Sequence, residues 1–341
     1  MSDISIADLA RLTGLAKSTV SGVLNNKPGF SEKTRRKVLA AAAQYGYVPN
    51  EIARGLTSKL TKTIGLVIKD ITNPFYSRIT KGVQEIAGEH GYTVFLCSSG
   101  EQHEAELAQI QAMIARRVDG LIIAPLLEGV PLEHLHDLKR KGLPFALLGS
   151  VPGLACDCVT FDDYGGGRAV TAYVIGQGHT RIGFVAGLKT SRASKLRHAA
   201  FKDQLLEHGL TLDSRYMFSE AASFQDGVRI GEQLARQPAS ERPTALICFD
   251  DVIAMGVIRG AQSCGMNVPD DLSVTGFDDI DLMAVPLTTV SVPTYEAGKT
   301  LARLLFERIF DEDAGSEYRQ VGFEERLVIR ETVAARAKDG T

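Results

Sequence analysis

The sequence predicts a small all-α headpiece of helix-turn-helix type followed by a two-lobed α/β core. Three observations predict it. Within the first sixty or so residues, apolar side chains recur at helical spacing on either side of a glycine break. From Thr63 onward, short apolar strands alternate with amphipathic helices, the rhythm of parallel sheets covered on both faces. Charge divides at the same place: residues 1–62 hold ten basic and four acidic side chains, a net of +6, while the whole chain is −3. A basic helical module on an acidic body points to a polyanion-binding unit joined to a unit with another task.

In the headpiece, Ile6, Leu9, Ala10 and Leu12 form a helical stripe, Gly14 ends it, and Leu15, Val20, Val23 and Leu24 resume it. Two short helices broken in this way set one helix across a phosphate backbone and the other in the major groove. A third helix opens at Ser31, a good N-cap, and runs to Tyr45, where Gly46 supplies a left-handed stop. The segment Asn50 to Leu56 repeats apolar residues at helical spacing but is too short to be stable alone, and residues 57–62 are a polar linker. The strands expected next are Ile64–Ile68, Thr93–Cys97, Gly120–Ala124, Phe145–Leu148 and Val159–Phe161, then Ile182–Ala186, Ala245–Phe249 and Ser273–Gly276. Helices are expected at Pro74–His90, Glu104–Arg117, Tyr164–Gln177, Lys195–Glu207, Val252–Cys264 and Tyr295–Phe310. About eight strand–helix units exceed one comfortable sheet, hence two lobes. The similar openings Ile64-Gly65-Leu66-Val67 and Ile182-Gly183-Phe184-Val185 suggest duplicated halves.

Composition narrows the class. At 341 residues the chain can hold two or three domains, each with its own core. No run approaches the roughly 18 apolar residues that cross a bilayer. The opening MSDISIADLARL is too polar for a secretory segment, so a cytoplasmic protein is expected. The five cysteines are odd in number, and Cys156 and Cys158 have no second Cys or His pair at zinc spacing, so reduced thiols are expected. The seven histidines show no ligand-like spacing, and neither a metal site nor a cofactor is expected. There is no GxSxG elbow, Walker loop or HExxH, and Gly165-Gly166-Gly167 does not follow the phosphate-loop pattern, so an enzyme is not expected.

The block IADLARLTGLAKSTVSGVLNNKPGFSEKTRRKVLAAAAQYGYVPNEIARGL resembles the signature of the lactose/galactose repressor family of bacterial transcription regulators. TKTIGLVIKDITNPFY, RRVDGLIIAP, GHTRIGFVAG, FDDVIAMGV, VPDDLSVTGFDDI and PLTTVSVPTYEAG follow in the family's order, so the resemblance covers nearly the whole chain. It implies a headpiece over residues 1–49, a hinge helix and linker over 50–62, and an effector-binding and dimerisation core over 63–341 similar to periplasmic sugar-binding proteins. The first lobe would take about 63–161 plus 293–319, and the second about 162–292 plus 320–341. The partners implied are a pseudo-palindromic double-stranded operator, a small sugar-like effector and a second copy of the chain, with no membrane. No leucine heptad follows the last apolar run, Leu327–Ile329, so a dimer and not a tetramer is expected.

By family position, Lys17–Asn25 is the recognition helix, with Lys17 and Ser18 reaching base edges. Thr19, Ser21 and Asn25 would contact phosphate or sugar, helix capping or plain surface exposure being the competing reading for Ser21 and Asn25. Two departures stand out: Ala16 replaces the usual Ser, and Gly22 replaces the Arg of TVSRVLN, which leaves the operator sequence open. In the hinge, Asn50, Ala53 and Leu56 would meet the minor groove, Leu56 as the apolar wedge. Packing of that segment on the core is the competing reading.

In the core, the carboxylates Asp70, Asp162, Asp250 and Asp278 fall at strand carboxyl ends, where open α/β sheets bind ligands. The resemblance assigns Phe75 and Tyr76 to an apolar wall, and Arg197, Asp250 and Asp278 to ligand hydroxyls, a set suited to a polyol. Asp162 divides between ligand contact and a helix cap, and Asp251 and Asp279 read as caps. The alternatives are a purine-type corepressor, which reverses the sign of control, and a solute-binding receptor for a transporter.

Overall fold

The computed structural model describes residues 4–47, 60–281, 285–310 and 317–336. The chain divides into two compact units, residues 1–61 and 62–341.

In the first unit, α1 (Ile6–Thr13) opens with a reciprocal cap: Ser5 Oγ accepts the Asp8 N–H at 3.2 Å and the Asp8 carboxylate accepts the Ser5 N–H at 3.0 Å. Gly14 closes it with φ +63°, a conformation open to glycine without strain. Helix α2 (Lys17–Leu24) starts at Ala16 with no side-chain cap, whereas α3 (Glu32–Gln44) starts at Ser31, which accepts the Thr34 N–H at 3.2 Å. Leu9, Val20, Val23 and Val38 are buried together, with Ile6, Ala10, Leu15, Leu24 and Phe30 packed around them. Leu12, expected in the buried stripe, is 50% exposed. In a helix of two turns the inner face holds positions 6, 9, 10 and 13, so Thr13 is buried instead, its hydroxyl bonded to the Leu9 carbonyl at 2.6 Å.

The second unit contains two parallel sheets. The first joins β1 (Thr63–Ile68), β2 (Thr93–Ser98), β3 (Gly120–Ile123), β4 (Phe145–Leu148), β5 (Asp157–Phe161) and β11 (Gln320–Phe323) in the order β11-β5-β4-β3-β1-β2. The second joins β6 (Ile182–Val185), β7 (Met217–Phe218), β8 (Ala245–Cys248) and β9 (Ser273–Thr275) in the order β7-β6-β8-β9. An antiparallel pair is formed by β10 (Thr289–Ser291) and β12 (Arg326–Val328). β1 and β6, the strands with similar sequence, hold equivalent places, each flanked by the two strands that follow it. Because β11 pairs with β5, residues 320–323 extend the first lobe's sheet and do not belong to the second lobe as expected.

Helices α4 (Pro74–Glu89), α5 (His103–Ala115), α6 (Glu133–Arg140) and α11 (Thr294–Phe310) accompany the first sheet. Ile64, Leu66 and Ile122 pack with Ile79, Val83, Leu301 and Phe306 on one face, and Val67, Leu121 and Ile123 with Ile110, Met113 and Leu138 on the other. Around the second sheet lie α7 (Asp163–Gly176), α8 (Arg192–Glu207), α9 (Phe224–Ala235) and α10 (Asp251–Ser263). Helices α9 and α10 touch backbone to backbone: a Cβ on Gly256 would lie 2.1 Å from the Phe224 carbonyl oxygen, and one on Gly227 2.2 Å from that of Ile253.

Candidate functional site

The carboxyl ends of β1, β5, β6 and β8, with the loop after β9, surround a cavity of about 300 Å³ lined from both lobes. Arg197, on α8 and only 5% exposed, is its central cation. Its Nε donates to Asp163 Oδ1 at 2.9 Å and its Nη1 to the Phe249 carbonyl at 2.7 Å. Nη1 also stands 3.8 Å from Asp278 Oδ1, and the guanidinium lies 3.4 Å from the centre of the Phe277 ring. A planar cation held over an aromatic face is fixed in direction before a ligand arrives.

Asp278 occupies a strained backbone position, with φ +108°, and its neighbour Asp279 has φ +56°. The strain is held by the bond from the Asp278 N–H to the Val290 carbonyl at 2.8 Å and by the ion pair of Asp279 with Arg330 at 2.6 Å. Asp250 caps α10 by accepting the Ile253 N–H at 2.8 Å, and its other oxygen accepts from Asn73 of the first lobe at 3.4 Å. Asn73 in turn caps α4 through the Phe75 N–H at 2.9 Å. Phe75 packs edge-on against Tyr76 and Phe161, 5.0 and 6.0 Å between centres, making the apolar wall. Further contacts cross between the lobes at the cavity rim: Glu128 meets Arg192 at 3.0 Å and Lys195 at 2.6 Å.

Burial raises the carboxyls of Asp250 and Asp278 against the pull of Arg197. Asp250 is pushed up to about 6, and Asp278 well above the ordinary carboxylate range, in both cases chiefly by desolvation. Lys69, facing the cavity from the end of β1, is lowered by the same desolvation, and Glu101 is raised. Glu325 is pushed up to about 8, and neither of its oxygens has a hydrogen-bond partner or solvent contact. A pocket of desolvated carboxyls around one oriented guanidinium presents both acceptors and donors to a ligand rich in hydroxyls.

Of the residues expected here, Phe75, Tyr76, Arg197, Asp250 and Asp278 all line the cavity. Asp162 does not. Its side chain turns back to cap α7, accepting the Gly165 N–H at 3.0 Å, and the adjacent Asp163 faces Arg197. Asp251, expected as a cap, is none: it accepts the Thr289 hydroxyl at 2.5 Å and the Ile280 N–H at 2.9 Å, which pins the loop that carries Asp278. Asp279, expected as a cap, is instead the partner of Arg330. Of the cavity lining, sequence reading missed Lys69, Glu101, Asp163 and Arg192; the first two follow apolar strands, which is the signal that could have found them.

In the headpiece, Lys17 and Ser18 are exposed at the start of α2, and Thr19 is half-buried. Ser21 Oγ accepts from Asn25 Nδ2 at 3.3 Å, so these two side chains partner each other at the end of the helix. Gly22 is covered by Phe30, whose ring tip would lie 2.5 Å from an added Cβ, so the glycine itself presents no surface. Asn50, Ala53 and Leu56 lie outside the described residues.

The comparisons with known proteins agree with this division of labour. The model of bacterial regulatory proteins of the lacI family matches residues 5–50, and that of the periplasmic binding protein-like domain matches residues 171–333. Catabolite control protein A of Priestia megaterium is 34% identical over 94% of this chain and 96% of its own length. The chain belongs to the lacI family. This lacI-family member is a DNA-binding transcriptional regulator, with its helix-turn-helix in the headpiece and its effector domain in the two-lobed core. The HTH-type transcriptional repressor PurR of Photobacterium profundum is 33% identical over 96% of this chain and 98% of its own. Among solved structures, the lac repressor dimer bound to operator and the anti-inducer ONPF matches with a TM-score of 0.83 at 25% identity, covering 98% of this chain and 100% of that one. The transcriptional regulator CelR in complex with cellobiose matches with a TM-score of 0.69 at 28% identity, over 96% and 99% of the two chains. Among the described residues, no helix is long and apolar enough to cross a membrane.

Proposed function

We propose that this regulator represses sugar-utilisation genes by binding a pseudo-palindromic operator as a homodimer, and that a sugar or sugar derivative in the cleft controls that binding. The observation that carries this reading is the Arg197–Asp278–Asp250 constellation beside the Phe75 wall, which joins two lobes across one cavity. A polyol would donate hydroxyl protons to the two aspartates, accept from the guanidinium and lay an apolar ring face on Phe75. Binding across both lobes favours whichever lobe arrangement brings its contacts closest. Operator affinity then changes by as much as the ligand prefers one arrangement over the other. An inducer favours the arrangement with weaker operator affinity.

DNA contact falls to Lys17 and Ser18 at the base edges and to Thr19, Ser21 and Asn25 at the backbone, with Asn50, Ala53 and Leu56 in the minor groove. Dimerisation is supported by the operator-bound dimer of the lac repressor and by Ile71 and the edge-strand residue Phe95, 61% and 39% exposed in the first lobe. The test is a thermal-shift screen of sugars, sugar phosphates and purines on the full chain. A ligand at 100 times its Kd adds about 2.7 kcal/mol. A sugar that stabilises the core supports the proposal, and stabilisation by a purine alone moves it to the corepressor reading.

A further inference from the structure

We propose that His103, Glu106 and His134 form a binding site for a divalent transition-metal ion in the first lobe, outside the contacts assigned to the effector. His103 and Glu106 stand three residues apart on α5, one turn above the other on the same face. His134 arrives from the first turn of α6, and the candidate ligand atoms of the three residues all lie within 4.8 Å of one another. An ion with bonds of about 2.0–2.2 Å to nitrogen and oxygen closes such a triangle with small side-chain rotations.

Two features of the site call for a cation. Glu106 is fully buried, with one oxygen accepting the Leu126 N–H at 2.9 Å and the other 2.9 Å from His134 Nε2. Among the described residues, no lysine or arginine lies within ion-pair distance of it. His103 Nδ1 is out of solvent and has no hydrogen-bond partner, with its ring 5.5 Å from that of His134. A buried carboxylate with a second nitrogen lone pair beside it is costly as a dry cluster and favourable as a coordination shell.

The donor set is two imidazoles and one carboxylate, which selects zinc, cobalt or nickel over the all-oxygen preference of magnesium and calcium. Three protein ligands leave a fourth position for water. The Leu126 N–H holds the carboxylate from outside, as outer-shell groups do in metal sites. Leu126 and Glu101, two residues before His103, also line the cavity, so the ion would sit behind its wall.

Calorimetry of the chelator-treated full chain with Zn²⁺ tests this, together with the absorption spectrum of the Co²⁺ form. One ion per chain is expected, with a nitrogen and oxygen ligand spectrum free of thiolate charge transfer despite the five cysteines. His103→Gln and His134→Gln should each weaken binding by about tenfold or more, and His136→Gln, on the same helix outside the cluster, should leave it unchanged. Metal-free melting curves check that each variant folds, and His103→Gln serves if His134→Gln does not. Absence of saturable binding, a thiolate band, or wild-type affinity in His103→Gln would overturn the assignment.

Discussion

Gly22 and Phe30 form a size-matched pair inside the headpiece, and the pair has a measurable consequence. Placing at position 22 the arginine that the family's motif carries makes the tip of the half-buried Phe30 ring move aside, a modest overpacking of about 1 kcal/mol. Gly22→Arg should therefore lower the melting temperature of the headpiece and weaken binding to every DNA sequence. Adding Phe30→Ala should restore most of the loss. Undiminished stability in Gly22→Arg alone would mean that the ring swings aside freely and that position 22 faces outward. Individual residues also differ in how plainly the sequence announces them. Asp250 and Asp278 were legible because they sit at strand ends, and Arg197 only through the family resemblance, since it lies within α8. Asp162 stayed open between cap and ligand contact because two adjacent aspartates open α7, and only the turn geometry decides which one caps and which one faces Arg197. Glu325 was invisible because its place near Arg197 depends on β11 and β12 crossing back to the core.

Elements with strong local punctuation were read to within a few residues. Ser31 and Gly46 bracket α3, and Gly14 stops α1, because caps and left-handed glycines act locally. Helices α6 and α9 were not singled out: α6 is short and half charged, and α9 carries two glycines that lower its helical propensity. Those glycines have a tertiary reason. Gly227 and Gly231 on α9 meet Gly256 and Gly260 on α10 with no room for a side chain. Gly256→Val should push the helices apart and destabilise the second lobe by about 3 kcal/mol or more, since the obstruction is backbone and cannot rotate away. Denaturant unfolding with a midpoint unchanged from wild type would refute the close contact. β11 was also outside sequence reach, since an exposed strand of four residues shows no periodicity that separates it from a loop.

At the scale of the whole molecule, buried carboxyls in and around the cleft hold protons that rising pH removes. Glu325, pushed up to about 8 by burial, stays protonated in the folded chain over a range where the unfolded chain has lost that proton. A raised carboxyl contributes stability below its ordinary value and loses it as pH rises through the folded value. Unfolding free energy of the ligand-free chain should fall from about pH 5 to pH 8, with each such group contributing up to about 1.4 kcal/mol per pH unit. Asp250, pushed up to about 6, and Asp251, to about 7, add to the same slope. Glu325→Gln should flatten it, and urea unfolding at the two pH values would expose an unchanged slope. The lobes themselves were legible as an alternation of strands and helices, while their exact seam was not, because the crossing segment after α11 shows its sheet only in three dimensions.

Control of operator binding by a polyol held between Arg197, Asp250 and Asp278 comes down to one affinity. It is measured for a single operator, selected from a random DNA pool, with and without the stabilising sugar, at a single salt concentration. Wild type and Asp278→Asn are compared, asparagine being tolerant of the positive φ at that position. The sugar should weaken wild-type binding by about tenfold or more, a coupling of about 1.4 kcal/mol. Asp278→Asn should bind the operator as wild type does without sugar and respond to the sugar hardly at all. A full response in Asp278→Asn would contradict this mechanism and place the effector elsewhere.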